Sequence, residues 1–238
     1  MRVKDLARKK NTKLDDTYEI LKDRIIKLKY LPEETLSVNE LAQEFDLSRP
    51  ALKEILMRLS ADSLVEETST KFTVSSFTVQ DIIELYQVRE ALECKGGELI
   101  LMNGGLTEAQ LHEIEELNDE IQQCVKDRRY RDGFTLDDKF HTLLMEYSKN
   151  KALMAVFDRI RIQVSRGRWL TLFNSDHNDT WEEHMKIISA LKAKDPDSVR
   201  RALSSHIGAA GNDIGDIFKN KDYERALFVL HHMKEGEK

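Results

Sequence analysis

Residues 64–77, LVEETSTKFTVSSF, are the one convincing stretch of β structure in this chain. Leu64, Val65, Phe72 and Val74, with threonines around them, mark two short strands about a polar turn. What precedes the hairpin leaves few arrangements open. Between residues 16 and 29, Leu21, Ile25 and Leu28 recur at helical spacing behind Tyr18. Ser37 and Glu40 have capping-box spacing ahead of Val38, Leu41, Ala42 and Phe45, which predicts a second, short helix. After a tight turn at Asp46 and Leu47, Ser48 can cap a third helix with Pro50 in its first turn, where a missing N–H costs little. Its buried stripe is Leu52, Ile55, Leu56 and Leu59. Three helices and a hairpin in this order predict a winged helix-turn-helix over residues 15–76.

The third helix of such a unit offers its first two turns to base edges and phosphates in a major groove. Arg49 and Lys53 lie one turn apart there, and the candidate DNA-contacting set is Ser37, Ser48, Arg49, Pro50, Lys53, Arg58 and Lys71. A solvated face on a generic helical hairpin is the plainer reading of the same residues. The net charge of −6 seems to argue against a nucleic-acid partner, but it is unevenly spread. Residues 1–75 carry 14 basic and 14 acidic side chains, and residues 1–14 form a basic arm with Arg2, Lys4, Arg8, Lys9, Lys10 and Lys13 against Asp5. A basic arm ahead of a neutral domain is compatible with binding phosphates.

Beyond Phe77 the pattern becomes helical throughout. Only three prolines and ten glycines interrupt 238 residues, so the local preference is strongly helical. Thr107 and Gln110 have capping-box spacing ahead of residues 111–127, and Pro196 sits as a first-turn residue after Asp195. The expected fold class is mainly α: the winged unit, then an antiparallel all-α bundle of about six or seven helices over residues 77–220, with 221–238 as a tail or short helix. No apolar run approaches the roughly 20 residues needed to span a bilayer, and the N-terminus lacks the apolar core of a signal peptide, so no membrane partner and a cytoplasmic location are expected. Cys94 and Cys124 form no ligand spacing and read as small hydrophobes.

Within the bundle, LDDKFH at residues 136–141 sets Asp137 and His141 four positions apart. Such a pair could hold a metal, work as a catalytic pair, or be an ordinary solvated pair on a helix surface. His112, His177, His231 and His232 read as surface residues. His184 is flanked by the apolar stripe Trp181, Ile187, Ile188 and Leu191, and His206 by Val199, Ala202 and Leu203, so each lies near the core-facing side of its helix.

At these residues the chain resembles a known family, the GntR transcription regulators, in the FadR-like subfamily whose C-terminal ligand-binding domain is called FCD. LSRPALKEIL at 47–56 resembles the recognition-helix signature VSRTPVREAL. VREALE at 88–93 is similar to the opening of the effector domain, and LDDKFHTLL at 136–144 resembles its D-x-x-x-H motif. The likeness covers nearly the whole chain in order. Proline falls one place early, Lys53 replaces an arginine, and Ser63 stands where a glycine usually precedes the wing. Ser69, Thr70 and Lys71 replace a basic, glycine-containing wing tip, behind Glu66 and Glu67, which repel phosphate.

The resemblance implies a metal site of Asp137, His141, His184 and His206, with Asp138 as the competing carboxylate. Imidazoles and one carboxylate without thiolates suit a divalent ion, zinc first, with nickel or manganese as alternatives. It also implies a homodimer on a pseudo-palindromic double-stranded DNA operator, answering to a small carboxylate effector. Arg89 is either an anchor for that carboxylate or the ion-pair partner of Glu93 one turn on. A metal-free regulator answering to a bulkier ligand such as an acyl-CoA stands as an alternative, which the complete His/Asp set argues against. A metalloenzyme is the remaining one; it has no evident extra base and no need of a winged unit.

Overall fold

The computed structural model describes residues 3–69, 71–171 and 180–219. The chain divides into two compact units, one holding the residues up to Thr78 and the other beginning at Val79. In the first, α1 (Val3–Ile26), α2 (Val38–Glu44) and α3 (Arg49–Ala61) precede strands β2 (Val65–Glu67) and β3 (Phe72–Val74). Ser37 and Ser48 cap α2 and α3, accepting from the backbone N–H of Glu40 and Ala51 at 3.3 and 3.4 Å. The side chains of Leu21, Ile25, Leu52, Ile55, Leu56 and Leu59 are fully buried, so the two apolar stripes read from spacing meet in one core.

Two features of this unit depart from the sequence reading. The first helix runs back to Val3 through the basic segment expected as an arm, because no helix breaker lies between Val3 and Ile26. Leu28, at φ 55°, ends it. Thr35 and Leu36, not assigned to a strand from sequence, form β1, which pairs antiparallel with β3 to give the strand order β1-β3-β2. A two-residue strand is too short to show alternation. Leu36 nonetheless anchors it, 3% exposed.

Ser63 supplies a stability prediction. It sits at φ 61° just before β2, a left-handed conformation that costs a side-chain-bearing residue about 1–2 kcal/mol. Ser63→Gly removes that cost and gives back part of it as chain entropy, so thermal unfolding should show a net gain of roughly 0.5–1 kcal/mol. No gain would mean that the Ser63 side chain contributes an offsetting interaction.

The second unit is a bundle of α4 (Val79–Met102), α5 (Glu108–Lys126), α6 (Tyr130–Tyr147), α7 (Lys151–Thr171), α8 (Thr180–Ala193) and α9 (Pro196–Lys219). Thr107 and Gln110 close the expected capping box at the start of α5. α6 runs through Gly133, where an added Cβ would stand 3.4 Å from that of Cys124 on α5. α4 lies along α9 and also packs on α6 and α7, while α8 packs on α5 and α9. Gly97 sets the α4 to α9 approach: a Cβ there would lie 2.6 Å from Val199 Cγ1. Phe140, Ile114, Ile187, Ile188 and Val199 are fully buried in the common core.

Candidate metal centre and nucleic-acid interface

The buried face of α6 carries Asp137 and His141 one turn apart; α8 supplies His184 and α9 His206. All four are buried, and one ligand atom from each lies within 4.8 Å of every other. His141 Nε2 and His206 Nε2 are 3.2 Å apart, His184 Nε2 is 3.4 Å from Asp137 Oδ1, and His141 Nε2 is 3.9 Å from Asp137 Oδ2. Ligand bonds of about 2.1 Å at a tetrahedral centre place donor atoms about 3.4 Å apart, so the set has the right size.

Each imidazole is oriented through its other nitrogen. His141 Nδ1 donates to Glu93 Oε2 at 2.6 Å, His184 Nδ1 to Asn118 Oδ1 at 3.0 Å, and His206 Nδ1 to Glu183 Oε2 at 2.7 Å. Asn118 spends its amide nitrogen on the Trp181 carbonyl, which leaves its oxygen facing the ring. With the protons on Nδ1, all three Nε2 atoms turn bare lone pairs toward one point. Nε2 of His184 is fully buried with no hydrogen-bond partner among the described residues. Lone pairs of His141 and His206 facing each other at 3.2 Å, beside a carboxylate oxygen, require a cation or a proton between them. The donor chemistry therefore fits a divalent metal.

Electrostatics favours the same protonation states. Burial pushes the His141 and His184 imidazoles below their ordinary value of 6.5, keeping them neutral as ligands must be. Burial would raise Asp137, but the Arg168 guanidinium, which ion-pairs with it, holds it below the usual carboxylate range. Burial would likewise raise Glu93, whose pKa is instead held at about 2 by His141 and Arg89.

These shifts fix how stability depends on pH. Below 6.5 the unfolded chain protonates His141 and His184 while the folded bundle resists, so stability falls as pH drops through that value. Below about 4.5 the unfolded chain also takes up protons at Glu93 and Asp137 that the folded one refuses, a second loss of the same sign. Melting of metal-stripped protein should fall in both windows on going from pH 7 to pH 4. A flat profile between pH 7 and 5 would contradict neutral, buried histidines.

The structure brings together all four residues of the expected set and turns Asp138 away, toward Arg161. His112 is exposed beside Glu116, and His177, His231 and His232 lie outside the described residues. Glu93, Asn118, Glu183 and Arg168 complete the centre and were not assigned to it from sequence. Asn118 had a readable signal, a lone amide within the apolar stripe Ile114, Leu117 and Ile121. Arg89 is buried, its Nε donating to Glu93 Oε1 at 2.6 Å, so an unbroken chain of contacts runs from Arg89 through Glu93 to His141.

On the winged unit, Arg49, Pro50 and Lys53 are exposed in the first two turns of α3, and Met57, 56% exposed, follows Lys53 one turn on. Arg58 faces elsewhere. It pairs with Asp15 at 2.8 Å and lies over the Tyr18 ring, bracing α3 against α1. Lys71 is exposed at the wing tip, where its backbone N–H donates to Thr68 Oγ1, and Glu66 and Glu67 are exposed on β2.

With this geometry in place, comparison with known proteins is informative. The model of bacterial regulatory proteins of the gntR family matches residues 13–81, and that of the FCD domain matches residues 84–209. The uncharacterized HTH-type transcriptional regulator YdhC of Bacillus subtilis is 26% identical over 224 residues, 92% of this chain and 93% of that protein. The HTH-type transcriptional repressor RspR of Escherichia coli is 24% identical over 205 residues, 84% of this chain and 88% of its own. The solved structure of E. coli McbR/YncC has the same fold, with a TM-score of 0.76 at 19% identity over 87% of this chain and 98% of that one. Having a gntR-type winged helix-turn-helix followed by an FCD domain over half its length, the chain belongs to the GntR family of bacterial transcription regulators.

Proposed function

We propose that this regulator binds a pseudo-palindromic operator as a homodimer and senses a small carboxylate metabolite through a divalent metal held by Asp137, His141, His184 and His206. The observation that carries the reading is the convergence of three Nδ1-anchored imidazoles on one point, with His184 Nε2 buried and unsatisfied there. Zinc is the first choice of ion, with nickel or manganese next, since the donors are imidazole and carboxylate. Four protein donors fill a tetrahedral ion, so the effector's carboxylate oxygen would need an ion of five- or six-fold coordination, which would supply it a Lewis-acidic position. The protein's own residues do the rest. Glu93, Asn118 and Glu183 fix the ring orientations, and Arg168 keeps Asp137 ionised. Arg89 spends its Nε on Glu93, and the proposal gives its terminal nitrogens the effector carboxylate.

On the DNA side, Arg49 and Lys53 read the major groove, Ser37, Ser48, Pro50 and Lys71 flank them, and Arg58 acts by bracing α3. The test is fluorescence anisotropy of metal-replete protein on duplexes enriched from a random pool, with and without a panel of small carboxylates. The reading requires a preferred duplex, steep weakening with added salt, and a shift in affinity with at least one carboxylate. No preference for any duplex at any salt or effector concentration would sink it.

A further inference from the structure

The basic segment at the start of the chain has no part in the function proposed above. Residues 3–14 carry Lys4, Arg8, Lys9, Lys10 and Lys13 against one acid, Asp5, whereas residues 15–26 carry Asp15, Asp16, Glu19 and Asp23 against Lys22 and Arg24. In the folded unit both halves belong to one helix, α1. The basic half gains nothing for that helix from its charges. Lys4 and Arg8 set like charges four positions apart, and so do Lys9 and Lys13, an arrangement that weakens a helix slightly.

Three contacts fix where that half lies. Lys13 Nζ donates to the Asp46 carbonyl oxygen at 2.7 Å and to its Oδ2 at 3.0 Å, in the turn just ahead of α3. Asp15 pairs with Arg58 at 2.8 Å, and the Tyr18 hydroxyl donates to Asp62 Oδ2. As the α1 residue advances from 13 to 15 to 18, its partner advances from 46 to 58 to 62. The two helices therefore run in the same sense, and the basic half of α1 lies toward the end of α3 that presents Arg49 and Lys53. From Lys13 back to Val3 is ten residues, about 15 Å at 1.5 Å per residue. Lys9 and Lys10, four and three positions before Lys13, fall on the side of α1 that meets the Asp46 turn.

We propose that the N-terminal half of α1 is a second DNA-binding surface, a sequence-independent hold on phosphates beside the groove that α3 enters, centred on Lys9 and Lys10. Phosphates are what that position offers. A helix whose first turns enter a major groove has a sugar-phosphate backbone on either side of it. Lysines without an aromatic residue among them neutralise phosphates but carry no means of telling one base from another, and residues 3–14 contain no aromatic side chain. Lys13 has a different task. The Asp46 side chain is 99% exposed in the turn before the reading helix, and the Lys13 ammonium cancels a charge that would otherwise repel DNA there.

The inference rests on DNA binding by the winged unit and on nothing in the bundle. Its test is fluorescence anisotropy of the full chain on an unselected duplex of about 30 base pairs and on the enriched operator, from about 0.05 to about 0.3 M salt. Wild type is compared with the combined variant Lys4→Gln, Arg8→Gln, Lys9→Gln and Lys10→Gln; glutamine is as good a helix former as lysine, and circular dichroism and melting check that α1 is kept. Losing Lys9 and Lys10 as phosphate contacts should lower the slope of log K against log salt by about 2 per chain. Affinity at about 0.15 M salt should fall at least about 10-fold, by the same factor on both duplexes. Lys9→Arg with Lys10→Arg should keep the wild-type slope, since charge and not shape is what binds. An unchanged slope in the glutamine variant, or a loss confined to the operator, overturns the surface. The unselected duplex decides this point whether or not any operator is preferred, so failure of the operator reading is seen separately.

Discussion

Replacing His184 with alanine should empty the metal centre. Protein purified without a histidine tag should carry about one equivalent of a divalent ion in wild type, and the variant well under a tenth of that. The expectation is large because His184 is the ligand with no other use. Its Nε2 has no hydrogen-bond partner among the described residues, its Nδ1 is anchored on Asn118, and its ring is stacked on Phe140 at a centroid distance of 4.0 Å. Removing it takes away one donor of four and strands the Asn118 oxygen in the core, so metal affinity should fall by more than the roughly 10–100-fold typical of losing an orienting partner. Glu93→Gln provides the calibration, since it disturbs His141 without touching a donor. Element analysis by mass spectrometry reads both. Equal metal content in wild type and His184→Ala would refute the site, whatever the protein does to DNA.

The second large effect lies on α3. Arg49→Ala should weaken binding to the preferred duplex about 10- to 100-fold and blur selection at one position of each half-site, because a bidentate contact to a base edge accounts for about 1–3 kcal/mol. Lys53→Ala should weaken all duplexes alike and lower the salt dependence by about one ion per half-site. Arg58→Ala separates contact from support. Its guanidinium is held by Asp15 and Tyr18, so the loss should show first in thermal stability. Affinity that survives Arg49→Ala unchanged would move the reading surface off the start of α3.

Much of this was legible in the chain because the relevant signals are local. Ser37, Ser48 and Thr107 announce helix starts through side chains that bond within three residues, and each does so here. The wing hairpin was legible because Val65, Phe72 and Val74 alternate with polar residues. β1 was not, since Thr35 and Leu36 become a strand only through pairing with residues nearly forty positions away. The metal ligands could be placed near core-facing stripes, but the groups that aim them could not. Glu93 reaches His141 across 48 positions and Asn118 reaches His184 across 66, and neither link leaves a trace in spacing. Arg58 shows the converse, a basic residue on the reading helix whose partners come from α1.

Every helix of the bundle contributes to the centre, as a donor or as the support of one: Glu93 from α4, Asn118 from α5, Asp137 and His141 from α6, Arg168 from α7, His184 and Glu183 from α8, and His206 from α9. A joint fixed by six members at once has no slack to absorb a displacement of one of them. A shift of a few tenths of an ångström in any one of them must therefore be shared among all six axes of the bundle.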